Sequence, residues 1–86
     1  MNDFKTRYYI AGNENIIKII DSKFKRIAGE TMTIEGKKFM ILPFASGKTM
    51  EFETKNDAAH CFAAFKNLII ETFWDVWNGT FERELI

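Results

Sequence analysis

The chain has 86 residues, of which 47% are hydrophobic and 28% charged, and its 12 basic side chains balance 12 acidic ones. This composition excludes intrinsic disorder, and the length is that of a single domain, residues 1–86. No apolar run approaches the roughly 18 residues that a membrane-spanning helix needs, so we expect no membrane partner. A domain this short buries only about 60–65% of its unfolded surface, so association with a partner would stabilise it.

The N-terminal residues Met1–Lys5 lack the apolar core of a signal peptide. The single cysteine, Cys61, has no second cysteine with which to form an internal disulfide. Both observations favour a reducing compartment. We therefore expect a cytoplasmic protein.

The first predicted element is a short strand over residues 4–10, where β-branched and aromatic residues alternate loosely with polar ones. A helix is predicted over residues 14–28, because apolar residues recur there at steps of three and four. Asn13 would cap the start of this helix and Gly29 would end it. The apolar residues of the pattern are Ile16, Ile19, Ile20, Phe24 and Ile27.

Three antiparallel strands are predicted next. They cover residues 31–34, 38–42 and 49–54. The segment Glu35-Gly36-Lys37 is a hairpin signal between the first two of them. In the third strand Met50 and Phe52 alternate with polar residues, which indicates that one face of the strand is buried.

A long helix with two apolar stripes is predicted from Asn56 to about Asn78. The first stripe would face the sheet and contains Ala58, Phe62, Phe65, Ile69, Phe73 and Val76. The second lies about 130° away around the helix axis and contains Ile70, Trp74, Trp77 and Phe81. These elements predict an α+β two-layer sandwich in the order (β)αβββα, with two helices packed on one face of a three- or four-stranded antiparallel sheet.

No motif in the sequence predicts catalysis, a metal site or a cofactor. Ser46-Gly47-Lys48-Thr49 matches the end of a phosphate-binding loop, but Leu42 stands where that motif requires a glycine. His60 and Cys61 are adjacent and would point about 100° apart on a helix, so the imidazole could not take the thiol proton. One histidine and one cysteine without clustered carboxylates fall short of a closed metal site. We expect a protein that is not an enzyme.

The second stripe of the long helix is the predicted functional surface. It comprises Ile70, Trp74, Trp77 and Phe81. Either the termini of the chain cover this stripe or a protein partner does, and we favour the partner because tryptophan is enriched in interface hot spots. The sequence thus predicts a small protein-binding regulator of the inhibitor, immunity or adaptor type, as found among phage and mobile-element accessory proteins, acting as a homodimer.

Nucleic-acid binding is the alternative function. Residues 18–48 carry seven basic and three acidic groups, a net charge of +4, whereas residues 49–86 carry three basic and seven acidic groups, a net charge of −4. Over residues 14–76 the αβββα order is similar to that of double-stranded-RNA-binding domains, a resemblance that implies nucleic-acid contact. Lys55-Asn56-Asp57 lacks the basic cluster that opens the second helix in that family. The contact residues under this alternative are Lys18, Lys25 and Arg26.

Overall fold

The computed structural model describes the backbone of residues 5–44 and 46–85, with side chains described as far as residue 78. In these described residues, five strands precede two helices: β1 (Arg7–Gly12), β2 (Ile17–Ser22), β3 (Thr31–Ile34), β4 (Lys37–Ile41), β5 (Glu51–Phe52), α1 (Lys55–Ala64) and α2 (Lys66–Leu85). The predicted α+β class is confirmed. The predicted order of elements is wrong, because all the described strands come before both helices.

The strands form one antiparallel sheet in the order β2-β1-β4-β3, and β5 pairs with the first half of β1. The predicted hairpin between β3 and β4 is confirmed, since Ile34 pairs with Lys37 across a two-residue turn. Glu35 and Gly36 both have positive φ in this turn, at 52° and 79°. Such a turn has the twist that joins two antiparallel strands directly.

Each face of the sheet carries its own apolar cluster. On the first face, sheet residues pack against α2 in a cluster of Ile10, Met40, Leu42, Met50, Ile69, Phe73 and Trp77. Cys61 and Phe62 of α1 pack beside this cluster. The second face carries Tyr9, Ala11, Ile20, Phe39 and Ile41, with Met32 and Ile34 packed beside them. Side chains alternate between the faces along β1, because successive residues of a strand point in opposite directions. The predicted two-layer arrangement is confirmed, but both helices come from the single long helix that was predicted from Asn56.

The predicted helix over residues 14–28 is wrong, because this stretch contains β2 and a loop instead. The apolar residues at helical spacing do not form a buried face, which explains the error. Ile16, Phe24 and Ile27, which supplied much of the helical period, are exposed in the structure. The clustered isoleucines have β-branched side chains, which favour a strand, and pairing with β1 decides the outcome.

The loop of residues 23–30 joins β2 to β3, which lie at opposite ends of the sheet order. The backbone N–H of Arg26 donates to the hydroxyl of Tyr9, whose side chain lies on the second face, so the loop crosses the sheet on that side. The Ser22 hydroxyl accepts a hydrogen bond from the backbone N–H of Phe24 and donates to its carbonyl. The N–H of Ala28 donates to Thr49. These bonds anchor the loop to Tyr9, Ser22 and Thr49.

The long helix that the sequence predicts is divided at Phe65, where the backbone (φ −124°, ψ 30°) ends α1. Thr54 caps α1 by accepting a hydrogen bond from the N–H of Asp57. The division turns Phe65 out of the first stripe, and its side chain is 55% exposed. Within the described residues, we find no helix with the length and apolar character needed to cross a membrane.

Candidate protein-binding surface

The helix α2 has a wider apolar arc than its own sheet covers. Ile69, Phe73 and Trp77 are buried against the sheet. At 100° per residue, Ile70 and Trp74 lie on one flank of this buried stripe and Leu68 on the other. Trp74 is 39% exposed and Leu68 is 52% exposed. Each flank of α2 therefore carries apolar side chains that face solvent.

Trp74 forms the centre of one flank. Its indole packs edge-on against the buried ring of Phe73, with the ring centroids 5.1 Å apart. Ile16, which is half exposed, lies across a groove of about 410 Å³ that Ile70 also lines. We call Ile16, Ile70 and Trp74 the Trp74 surface. Glu14 and Lys66 lie at its edge and are its charged residues.

Asn13 holds Ile16 in place from the turn between β1 and β2. The side-chain oxygen of Asn13 accepts hydrogen bonds from the backbone N–H groups of Asn15 and Ile16, at 2.9 and 3.0 Å. The N–H of Asn13 donates in return to the carbonyl of Ile16. Asn13 was predicted to cap a helix, whereas its hydrogen bonds close a tight turn. The turn presents Ile16 to solvent beside α2.

Trp77 does not share the exposed flank on which the sequence analysis placed it. Only 7% of the residue is exposed, and its ring lies 5.5 Å from that of Phe73 in the sheet–helix core. Lys38 places its ammonium group 5.9 Å from the Trp77 ring. Of the four predicted interface residues, the structure brings Ile70 and Trp74 together and assigns Trp77 to the core. Phe81 lies outside the described side chains.

The three predicted nucleic-acid contacts do not lie on one helix face. Lys18 is on β2, with its ammonium group 4.8 Å from the ring of Phe39. Lys25 and Arg26 are in the crossing loop, where the Arg26 guanidinium donates to Ser22. The basic first helix on which this alternative depended is not formed.

Residues with acid–base or metal-binding chemistry are dispersed in the part of the chain that the structure describes. His60 is exposed on α1, while Cys61 is half-buried and the pKa of its thiol is raised by desolvation. Residues 5–44 and 46–78 contain no group of three or more histidine, cysteine or acidic side chains placed to bind a metal ion.

One polar cluster was missed in the sequence analysis. The hydroxyl of Tyr9 donates to Glu51 at 3.0 Å, and Glu51 also pairs with Arg7 at 3.1 Å. Burial raises the pKa of Tyr9, and the hydrogen bond to Glu51 adds to this effect. The pairing of β1 with β5 brings these residues together across more than 40 positions of sequence. No local spacing signals such a contact.

Comparison of the chain with protein-family models, curated proteins and solved structures gives no match.

Proposed function

We propose that this protein binds another protein through the Trp74 surface, and that the partner is a second copy of the chain. The observation that carries the proposal is the partly exposed Trp74, supported from below by Phe73 and flanked by Ile16. A tryptophan at the centre of an apolar patch is the usual anchor of a protein interface. The homodimer would act as a non-enzymatic regulator of the inhibitor, immunity or adaptor type. We place it in the cytoplasm because its one cysteine has no disulfide partner in the chain.

The position of Lys66 on α2 favours an antiparallel pairing of two copies. Residues 66 and 74 lie equally far along the helix from Ile70, on opposite sides of it. A two-fold axis at Ile70 would therefore place Lys66 of one copy beside Trp74 of the other. The ammonium group of Lys66 complements the indole face. The same contact occurs twice in such a dimer.

The proposal is tested by sedimentation equilibrium of the wild type and two variants. We expect the wild type to dimerise and Trp74→Asp to be a folded monomer, because a partly exposed side chain is replaced by a charge that opposes association. Glu71→Lys is the matched control, since Glu71 is exposed on the polar side of the same helix. It should leave the dimer intact. A wild type that stays monomeric up to concentrations of about 1 mM would refute the proposal.

A second substitution tests the antiparallel geometry separately. Lys66→Glu should weaken the dimer, because a carboxylate would replace the ammonium group beside the indole of the other copy. An unchanged dimer affinity in Lys66→Glu, with a wild-type dimer present, would exclude this pairing of the two helices.

Nucleic-acid binding by Lys18, Lys25 and Arg26 stays an untested prediction. Binding driven by phosphate contacts falls steeply with salt, whereas an apolar protein interface is much less sensitive. A titration of a fluorescent RNA duplex at two salt concentrations therefore separates the two functions.

A further inference from the structure

A second groove lies on the flank of α2 opposite the Trp74 surface. It has a volume of about 400 Å³, and it lies between the turn that joins β4 to β5 and the junction of the two helices. Its walls include Phe44, Phe65 and Leu68, and its floor includes the buried Met50 and Ile69. We call it the neutral groove, because the described residues that line it include no acidic or basic side chain. The other described lining residues are Pro43, Ser46, Cys61 and Thr72.

The walls of the neutral groove are held in place by contacts within the chain. The N–H of Phe44 donates to the carbonyl of Lys48 at 2.7 Å, and the N–H of Gly47 donates to the carbonyl of Phe44 at 2.8 Å. The ring of Phe44 also packs edge-on against Phe52, with centroids 6.4 Å apart. The carbonyl of Phe65 accepts a hydrogen bond from the backbone N–H of Ile69 at the start of α2. The groove is therefore formed before a ligand enters.

The chemistry of the lining determines which ligands fit. Burying a charged group against apolar walls without a partner costs several kcal/mol, at a rough estimate. The polar atoms that the lining side chains offer are the Ser46 and Thr72 hydroxyls and the Cys61 thiol, which suit a single neutral hydrogen-bonding group. The Trp74 surface, in contrast, has Glu14 and Lys66 at its edge. The neutral groove thus discriminates against charged ligands.

We propose that the neutral groove is a binding site for an uncharged, mainly apolar small molecule of about two or three rings in size. Small-molecule sites commonly have volumes of roughly 300–1,000 Å³ and combine apolar walls with few polar groups, and the neutral groove has both properties. Phe44, Phe65 and Leu68 at its mouth would be covered by such a ligand. This activity is additional to the proposed dimerisation, because the two surfaces lie on opposite flanks of α2.

Cys61 makes the proposal directly testable. It is the single cysteine of the chain and lines the neutral groove, so its reaction with an uncharged disulfide reagent such as 4,4′-dithiodipyridine reports on this groove alone. The probe ligand is N-phenyl-1-naphthylamine, an uncharged aromatic whose fluorescence rises in apolar surroundings. We expect saturable binding of the probe and, at saturation, a slowing of the Cys61 reaction by about tenfold or more, because a bound ligand blocks access to the thiol.

A charged analogue of the probe and two variants of the groove make the test more specific. 1-Anilinonaphthalene-8-sulfonate has the same ring skeleton plus one negative charge, and it should bind at least about tenfold more weakly. Leu68→Glu puts a charge at the mouth of the groove and Thr72→Phe fills it, and both should abolish probe binding. Ile16→Glu on the Trp74 surface should leave probe affinity unchanged.

Three results would overturn the proposal. The first is the absence of saturable probe binding to the wild type. The second is probe binding that leaves the rate of the Cys61 reaction unchanged, since the probe would then occupy another surface. The third is protection of Cys61 that rises with protein concentration in the absence of probe, which would assign the neutral groove to a second copy of the chain.

Discussion

The ring of Phe73 occupies the space directly above Gly12. A Cβ atom on Gly12 would lie 3.2 Å from Cε1 of Phe73 and 2.9 Å from Cγ1 of Ile17. The second distance is shorter than real Cβ atoms tolerate. This contact fixes how closely α2 approaches the end of β1, and it places Trp74 beside the β1–β2 turn.

Gly12→Ala should therefore destabilise the protein. We expect the free energy of unfolding to fall by about 1–3 kcal/mol, as for other overpacked cores, in urea denaturation followed by circular dichroism. In an Ile17→Ala background, Gly12→Ala should lower the free energy of unfolding by less, because Cγ1 of Ile17, the atom nearest to the new Cβ, is absent. An equal cost in both backgrounds would mean that the clash with Ile17 is not the cause.

The two tryptophans should respond differently to truncation. Trp77→Ala leaves a cavity in the core, so we expect it to lower the free energy of unfolding by about 3–5 kcal/mol. Trp74→Ala changes a partly exposed site and should lower the free energy of unfolding of the monomer by less than about 1.5 kcal/mol. Acrylamide quenching of fluorescence provides an independent check. In the monomeric state Trp74 should be quenched readily and Trp77 poorly. Similar quenching of both would contradict the placement of Trp77 in the core.

Ser22→Ala should loosen the crossing loop without unfolding the sheet. Ser22 bonds to the backbone of Phe24 and to the guanidinium of Arg26, and all three hydrogen bonds disappear with its hydroxyl. We expect the free energy of unfolding to fall by about 1–2 kcal/mol. Amide hydrogen exchange should accelerate in residues 23–27 while β1 stays protected. Lys23→Ala, at an exposed neighbouring position, is the control.

Raising the pH should destabilise the protein through Tyr9 and Cys61. Burial raises the pKa of Tyr9 above its usual 10.0, and burial raises that of Cys61 above 9.0. The folded state therefore holds both protons more tightly than the unfolded chain does. This contribution is fully present below the unfolded pKa values and is lost as the pH rises through the folded ones.

The measurement compares urea denaturation of the wild type with that of Tyr9→Phe/Cys61→Ala from about pH 8 to about pH 11. The double variant should be less stable at the lower pH, because the Tyr9 hydrogen bonds to Glu51 and Arg26 are lost. Its stability should also fall less steeply as the pH rises. Parallel curves for the two proteins would show that neither group contributes to the pH dependence.

The sequence was sufficient to predict the hairpin of β3 and β4 and two of the core positions of α2. Both depend on local patterns: a glycine turn between β-rich segments, and an apolar period of three and four residues. Ile69 and Phe73 are buried as predicted. The error over residues 14–28 arose because isoleucines at helical spacing also suit a strand. Their pairing partner, β1, lies earlier in the chain, and the helical period does not reveal it.

The candidate sites were predicted less completely than the fold. Trp74 and Ile70 were identified from their position on the helix, but Ile16 was assigned to a helix core and its role depends on the Asn13 turn. Trp77 was misplaced because its angle on the helix, about 80° from Ile69, falls between the buried stripe and the exposed flank. The neutral groove could not be predicted, since the division of the helices at Phe65 has no proline or glycine to mark it.

The order in which the strands are connected affects how fast the chain folds. The pairs β1–β2 and β3–β4 are each formed by neighbours in sequence, so both can form as isolated hairpins within microseconds. The pairing of β1 with β4 joins distant segments, and it requires the crossing loop to close over the second face. Non-local pairing of this kind slows folding. We therefore expect docking of the two hairpins, through Ala11 and Ile41, to limit the folding rate.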